Sequence, residues 1–211
     1  MSPIHEAAGL AAMVSLWLLG ITRVKSMLWG LALQGGALSM ILLIHAIANN
    51  LAPEIFLGMS ALLLKAVVIP LFLNWSAHRL KVDRDWGVGL APGMAMLIGA
   101  VVLMTCYFQS ARFSPLSVPS GTAGYSIAMV LIGVMIMITR RLAMGILVGF
   151  LVLDNGIFAY SVTETAGLPA VIELGVMFDL FVAVLLTGMV LFRVSRSFEH
   201  MDVSKMRELH E

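Results

Sequence analysis

Cysteine is almost absent: Cys106 is the single one in 211 residues, and it sits in an apolar stretch. A lone thiol excludes a disulfide framework, a CxxC motif and a thiolate set for zinc or an iron-sulfur cluster. The five histidines show no HExxH or HxxxH spacing, and no Walker A or GxGxxG loop opens a helix. The chain therefore offers no catalytic site of its own for redox or hydrolytic chemistry, and no cofactor or metal is expected in it. Charge is scarce as well. Only 12% of the residues are charged, against roughly 25% in an average soluble domain. The net charge of +1 gives no reason to propose a nucleic acid partner.

What is present in excess is apolar surface: 60% of the residues, with a mean hydropathy of +0.99. A soluble fold of this length cannot hide that much, whereas a span of the hydrocarbon core needs about 20 mostly apolar residues. The reading is an all-α polytopic membrane protein in contact with the lipid bilayer. Seven spans are expected, near residues 5–22, 26–48, 54–75, 88–110, 122–139, 142–163 and 170–193. Transmembrane β-strands would alternate apolar and polar residues, and these segments do not. The organisation that follows is a four-helix region at 1–110, an external loop at 111–121, a three-helix region at 122–193 and a cytoplasmic tail at 194–211.

The cations set the orientation. With the N-terminus outside, 11 of the 13 Lys and Arg fall on the inner side, Arg112 on the outer side and Lys65 within a span. That asymmetry predicts N-out, C-in. The first span has no basic region ahead of it, so it is expected to remain as a helix rather than to be cleaved as a signal peptide.

The 16 methionines read as packing, and Gly145 with Gly149 forms a GxxxG pair at which another helix can approach closely. A small set of ionisable residues at membrane depth is left over. At 1.5 Å per residue, Lys65 lies about 16 Å below the outer end of its span, Asp154 about 18 Å above the inner end of its own and Asp179 about 14 Å below the outer end of its own, all close to the midplane. Each costs about 2.5–3.5 kcal/mol at a helix centre, so each is expected to face protein or water. Asp154 belongs to FLVLDNGIFAY, which in a soluble protein would signal a hairpin turn. Its apolar flanks make it a stretch of helix instead. Pro70, five residues after Lys65, removes a backbone donor and is expected to leave carbonyls able to hold water beside the lysine. Glu173, nearer the outer surface, is a weaker proton-transfer candidate. Two roles stay open for these charges: proton or ion transfer, and a helix lock in which Lys65 pairs with an aspartate.

From Arg140 onward, TRRLAMGILVGFLVLDNG, then VIELGVMFDLFVAVLL, then the tail HMDVSKMRE resemble the three-helix K-type subunit of respiratory complex I and of multisubunit cation/proton antiporters. With its extra amino-terminal spans and the LLLKAVVIP segment, the whole chain resembles the hydrogenase-4 component E family. The resemblance implies a non-catalytic membrane-arm subunit of a group 4 [NiFe] hydrogenase, a formate hydrogenlyase or a related complex I-like assembly. Its implied partners are antiporter-like subunits and the hydrogenase-anchoring membrane subunit. The [NiFe] centre and iron-sulfur clusters would belong to partner subunits, and the location would be a bacterial or archaeal cytoplasmic (inner) membrane. By motif Asp179 matches the final-helix glutamate of the K-type subunit. The other K-type glutamate falls on Leu151, and the family places its acid at the Asp154 position. Alternatives are a purely structural linker subunit, a subunit of a cation/proton antiporter and a free-standing transporter.

Overall fold

The computed structural model describes residues 3–48, 50–80, 84–85, 90–113, 121–164 and Gly175. Helices make up nearly all of it. α1 spans Pro3–Gly20 and α2 Val24–Ala48, joined by a tight turn at 21–23. α3 (Ala52–Leu62) runs through a π-helical segment, Leu63–Val68, into α4 (Ile69–Leu80), with α-helical dihedrals kept at both junctions. α5 covers Pro92–Phe108 and is followed by the single turn α6 (Ser110–Phe113). α7 (Thr122–Thr139) and α8 (Ala143–Glu164) form a hairpin through residues 140–142. No strand occurs among the described residues; the one bridge joins Arg23 to Arg84.

Local chemistry explains the helix starts. Pro53 and Pro92 lie in the first turns of α3 and α5, where a missing N–H costs nothing. Asn50, with φ of 53°, and Gly121, with φ of 68°, adopt left-handed backbone just ahead of α3 and α7. The π segment widens the rod by one residue: the N–H of Ile69 reaches the carbonyl of Leu64, five residues back.

Four helices are long and apolar enough to cross a membrane: Val24–Ala48, Ala52–His78, Thr122–Thr139 and Ala143–Val162. His5–Gly20 and Pro92–Phe108 are apolar but shorter. At 17 residues Pro92–Phe108 rises about 26 Å, a little less than the roughly 30 Å hydrocarbon core. Six of the seven expected spans are thus helices, while the seventh, 170–193, lies outside the described residues apart from Gly175. Apolar side chains also cover the outside. Trp29, Leu33 and Ile44 of α2 are exposed while Met27, Leu31 and Leu42 of the same helix are buried. A helix apolar on every side suits lipid on one face and protein on the other.

α1 packs on α2, α5 and α7; α2 packs on α3, the π segment, α4 and α8. The regions expected at 1–110 and 122–193 therefore share buried clusters, one joining Leu18, Met27 and Leu73 to Ile132, Val148 and Leu151. Close approach between α7 and α8 depends on missing side chains. A Cβ added to Gly149 would stand 2.7 Å from the Met137 nitrogen, and one on Gly133 would stand 2.5 Å from the Leu153 nitrogen. With little hydrophobic drive between helices in lipid, such backbone contact is a main source of cohesion.

Candidate functional site: a buried lysine–aspartate pair

Lys65 stands in the π segment and is 4% exposed; Asp154 stands midway along α8 and is 3% exposed. Their side chains form a salt bridge. The Lys65 ammonium also donates to Asn155 Oδ1 at 3.0 Å and lies 5.0 Å from the centre of the Phe158 ring. Asp154, Asn155 and Gly156 are all helical, so DNG is a turn of α8 and not a hairpin tip.

Backbone geometry puts the lysine there. A Cβ on Gly35 of α2 would fall 2.8 Å from Lys65 Cβ, so the bare glycine lets the π segment come in against α2. Pro70 lies five residues beyond Lys65, at the position from which a π-helical N–H would return to the Lys65 carbonyl, and proline has none to give. The extra residue in the π segment changes which side chains face inward, and Lys65 is the buried one of the six.

Beyond the pair runs a ladder of amides that the sequence reading did not single out. Asn155 Nδ2 donates to Gln34 Oε1 at 3.3 Å. Gln34 Nε2 donates to Ser15 Oγ at 2.6 Å and to the Ala11 carbonyl at 3.2 Å, and Ser15 Oγ donates to the same carbonyl at 3.0 Å. Every bond points the same way, from the ammonium toward a carbonyl of α1. Such a chain favours the positive end it starts from, and in a low-dielectric interior its bonds reinforce one another. The signal available in the sequence was three uncharged polar residues inside apolar helices. Leu151, which the sequence resemblance set opposite a K-type glutamate, is buried among apolar neighbours.

A second polar cluster closes one end of the bundle. Arg140, in the turn between α7 and α8, is buried and donates to the carbonyls of Leu19 at 2.9 Å, Ile21 at 2.5 Å, Leu18 at 3.3 Å and Asp85 at 3.0 Å. Burial pulls its guanidinium below the ordinary value, and the nearby Asp85 carboxylate opposes that pull. Arginine remains charged even so. Asp85 accepts from the backbone N–H groups of Arg141 at 3.3 Å and Leu142 at 3.1 Å, and so caps the start of α8. Gly145 makes room for this cluster: a Cβ there would lie 2.4 Å from Asp85 Oδ2 and 2.9 Å from Arg140 Cβ. The expected GxxxG pair thus divides, with Gly149 serving the contact with α7 and Gly145 the Arg140–Asp85 clamp.

The structure brings Lys65 and Asp154 together. Asp179 and Glu173 lie outside the described residues. Among the described residues no group of three or more His, Cys, Asp or Glu is placed to hold a metal ion.

Comparison with known proteins finds full-length relatives of the sequence. Over 211 residues, 99% of this chain and 96% of the relative, the sequence is 31% identical to the uncharacterized protein Rv0085 of Mycobacterium tuberculosis. The chain belongs to the family of that mycobacterial protein. It is also 20% identical over 213 residues to Hydrogenase-4 component E of Escherichia coli K12, covering 98% of this chain and 96% of the relative. The protein of the same name from Shigella flexneri aligns equally. No family model and no solved structure matches the chain.

Proposed function

We propose that the chain is a membrane subunit of a hydrogenase-like multisubunit complex, and that the Lys65–Asp154 pair is a proton-transfer station within it. Full-length likeness to Hydrogenase-4 component E supports the first part. The second part rests on one observation, a lysine and an aspartate paired with both side chains almost fully buried. Burial disfavours charge, so the ion pair and the neutral amine–acid pair come closer in energy than they are in water, and a proton can cross between them on a small structural change. The finer reading is seven spans oriented N-out, C-in in a cytoplasmic membrane, with Asp179 and Glu173 continuing the path. Antiporter-like and hydrogenase-anchoring subunits would be the neighbours, and the [NiFe] centre and iron-sulfur clusters would reside in partner subunits. The transported ion on this reading is H⁺ or Na⁺.

A purely structural lock is the competing reading, and the amide ladder running from the pair to α1 favours it. Replacing the pair by neutral residues separates the two. Lys65→Met with Asp154→Asn removes both charges and both proton sites, leaving no uncompensated buried charge to unfold the bundle. A relay predicts that the double variant assembles yet translocates few protons per electron pair in proteoliposomes. Wild-type stoichiometry, normalised to assembled complex, would leave the pair as a packing lock.

A further inference from the structure

The bundle holds another buried acid that the pair does not use. Glu54 lies in the first turn of α3, is 7% exposed, and its Oε2 has no hydrogen-bond partner. Glu54, Gly58, Ala61 and Lys65 are the buried residues of the α3–π rod up to the lysine, one helical stripe about 16 Å long. Across from this stripe is α2. Gly35 faces Lys65, and the Leu43 backbone lies 3.2 Å from where a Gly58 Cβ would be. Ser39 stands one turn from each of those two α2 positions, so it faces the same seam at the level of Ala61, midway between Gly58 and Lys65. It is fully buried, and its Oγ also lacks a partner.

Two orphaned polar atoms on one seam ask for an explanation, because a buried polar atom that stays dry forfeits the hydrogen bonds it made to water. The residues between them are the two smallest available. Gly58 and Ala61 let α3 lie close on α2, with Ala61 in one apolar cluster with Leu38 and Leu42, and a file of water enters this seam when the rods part. Water bridging Glu54, Ser39 and Lys65 would satisfy both orphans at once.

We infer that the α2–α3 seam, from Glu54 through Ser39 to Lys65, is the route by which protons reach the buried pair. The inference rests on the proton-transfer reading of that pair. Lys65 passes a proton to the Asp154 carboxylate, which leaves a neutral amine and a neutral acid. The amine takes a proton from the seam through water and the Ser39 hydroxyl, which accepts one proton and releases another. The Glu54 carboxyl supplies that proton, becomes a carboxylate and is reprotonated from the aqueous phase at the α2–α3 turn. Charge is conserved at each transfer, and no oxidant or reductant is needed.

Glu54 also sits where a carboxylate meets the positive end of the α3 dipole, a structural role that would leave proton movement untouched once the complex is assembled. The test uses the intact complex in proteoliposomes and reads protons translocated per electron pair, with dye-linked turnover as the control. Glu54→Gln and Ser39→Ala should each lower the ratio to well under half of the wild-type value. Glu54→Asp should restore much of it. Wild-type ratios in both variants, beside a defective Lys65→Met, Asp154→Asn variant, would overturn the seam and leave the pair's relay standing. A wild-type ratio in that double variant as well would remove the relay itself. Should Glu54→Gln fail to assemble, Ser39→Ala is read together with thiol labelling. In a Cys106→Ser background, Ala61→Cys should react with a small water-soluble methanethiosulfonate reagent, and a wholly unreactive thiol would show a dry seam and overturn the inference.

Discussion

The bundle contains two buried clusters, each built on one cation and one carboxylate, and they use the same ingredients in opposite ways. In the middle of the bundle, Lys65 and Asp154 address each other, and Lys65 also donates to the side-chain amide of Asn155, which donates on to Gln34. At the end of the bundle, Arg140 and Asp85 address the backbone: the guanidinium gathers carbonyls from the C-terminal end of α1, while the carboxylate caps α8. Arginine keeps its proton under any physiological condition and forks over several acceptors, which suits a fixed bolt. Lysine is a point charge that gives up its proton when its surroundings change, which suits a site of exchange. The difference between the clusters therefore lies in whether the charges can be neutralised, and substitutions that neutralise them should part the two.

The largest effect should follow Arg140→Met. Four carbonyls lose a charge-assisted partner at once, each such bond contributing about 1.5–3 kcal/mol, with less than full additivity. A loss of about 5 kcal/mol is expected, measured as equilibrium unfolding of the purified chain in mixed micelles or as a collapse in its membrane yield. Asp85→Ala made together with Arg140→Met should not recover it, because the carbonyls stay orphaned. A rescue by the second change would show that the clamp is held by the ion pair and not by the backbone.

The mid-bundle pair should answer differently to the same treatment. Lys65→Met alone strands a buried carboxylate and should cost about 3–5 kcal/mol, as should Asp154→Asn alone. The double variant should return to within about 1 kcal/mol of the wild type or exceed it, since a buried ion pair is worth little more than well-packed neutral residues. If the double variant were as unstable as either single one, the amide ladder through Asn155, Gln34 and Ser15 would be the element that holds the helices, and the pair's exchange role would lose its contrast with the clamp.

How far the sequence could reveal these clusters depends on what a residue costs to bury. Lys65 and Asp154 stand out because a charge inside an apolar run is expensive, and the helical nature of DNG followed from its flanks. Most helix ends also agree closely, as with the expected 122–139 and the observed Thr122–Thr139. Gln34, Asn155 and Ser15 were passed over because an uncharged amide or hydroxyl in a helix is cheap enough to be unremarked, and only tertiary packing shows them end to end. Arg140 counted as one of the 11 inner-side cations, and Asp85 fell between the expected spans 54–75 and 88–110. Their burial depends on the turns at 21–23 and 140–142 meeting in space. Glu54 stood at the first position of the expected span 54–75 and drew no notice, yet it lies in the first turn of α3 and faces inward. The π segment carries no signal of its own beyond Pro70, since its register depends on Gly35 yielding space in another helix.

The smallest effect comes from the two glycines that look equivalent in sequence. Alanine is about 1 kcal/mol better than glycine inside a helix, so Gly145→Ala and Gly149→Ala would both stabilise α8 if nothing stood nearby. At Gly149 the added methyl meets backbone atoms of α7, the Met137 nitrogen at 2.7 Å and the Gly133 oxygen at 2.9 Å, and neither can step aside. At Gly145 the nearest atom, at 2.4 Å, is the Asp85 carboxylate, a side-chain end that can swing away only by releasing the α8 cap. Overpacking of this kind costs about 1–3 kcal/mol, with Gly149→Ala at the upper end and Gly145→Ala at the lower. An Asp85→Ala background should then remove much of the Gly145→Ala cost and none of the Gly149→Ala cost, a coupling that a double-mutant cycle reads directly. Equal costs that ignore Asp85 would mean that both glycines serve the α7–α8 contact, and that the clamp does not depend on α8 for its space.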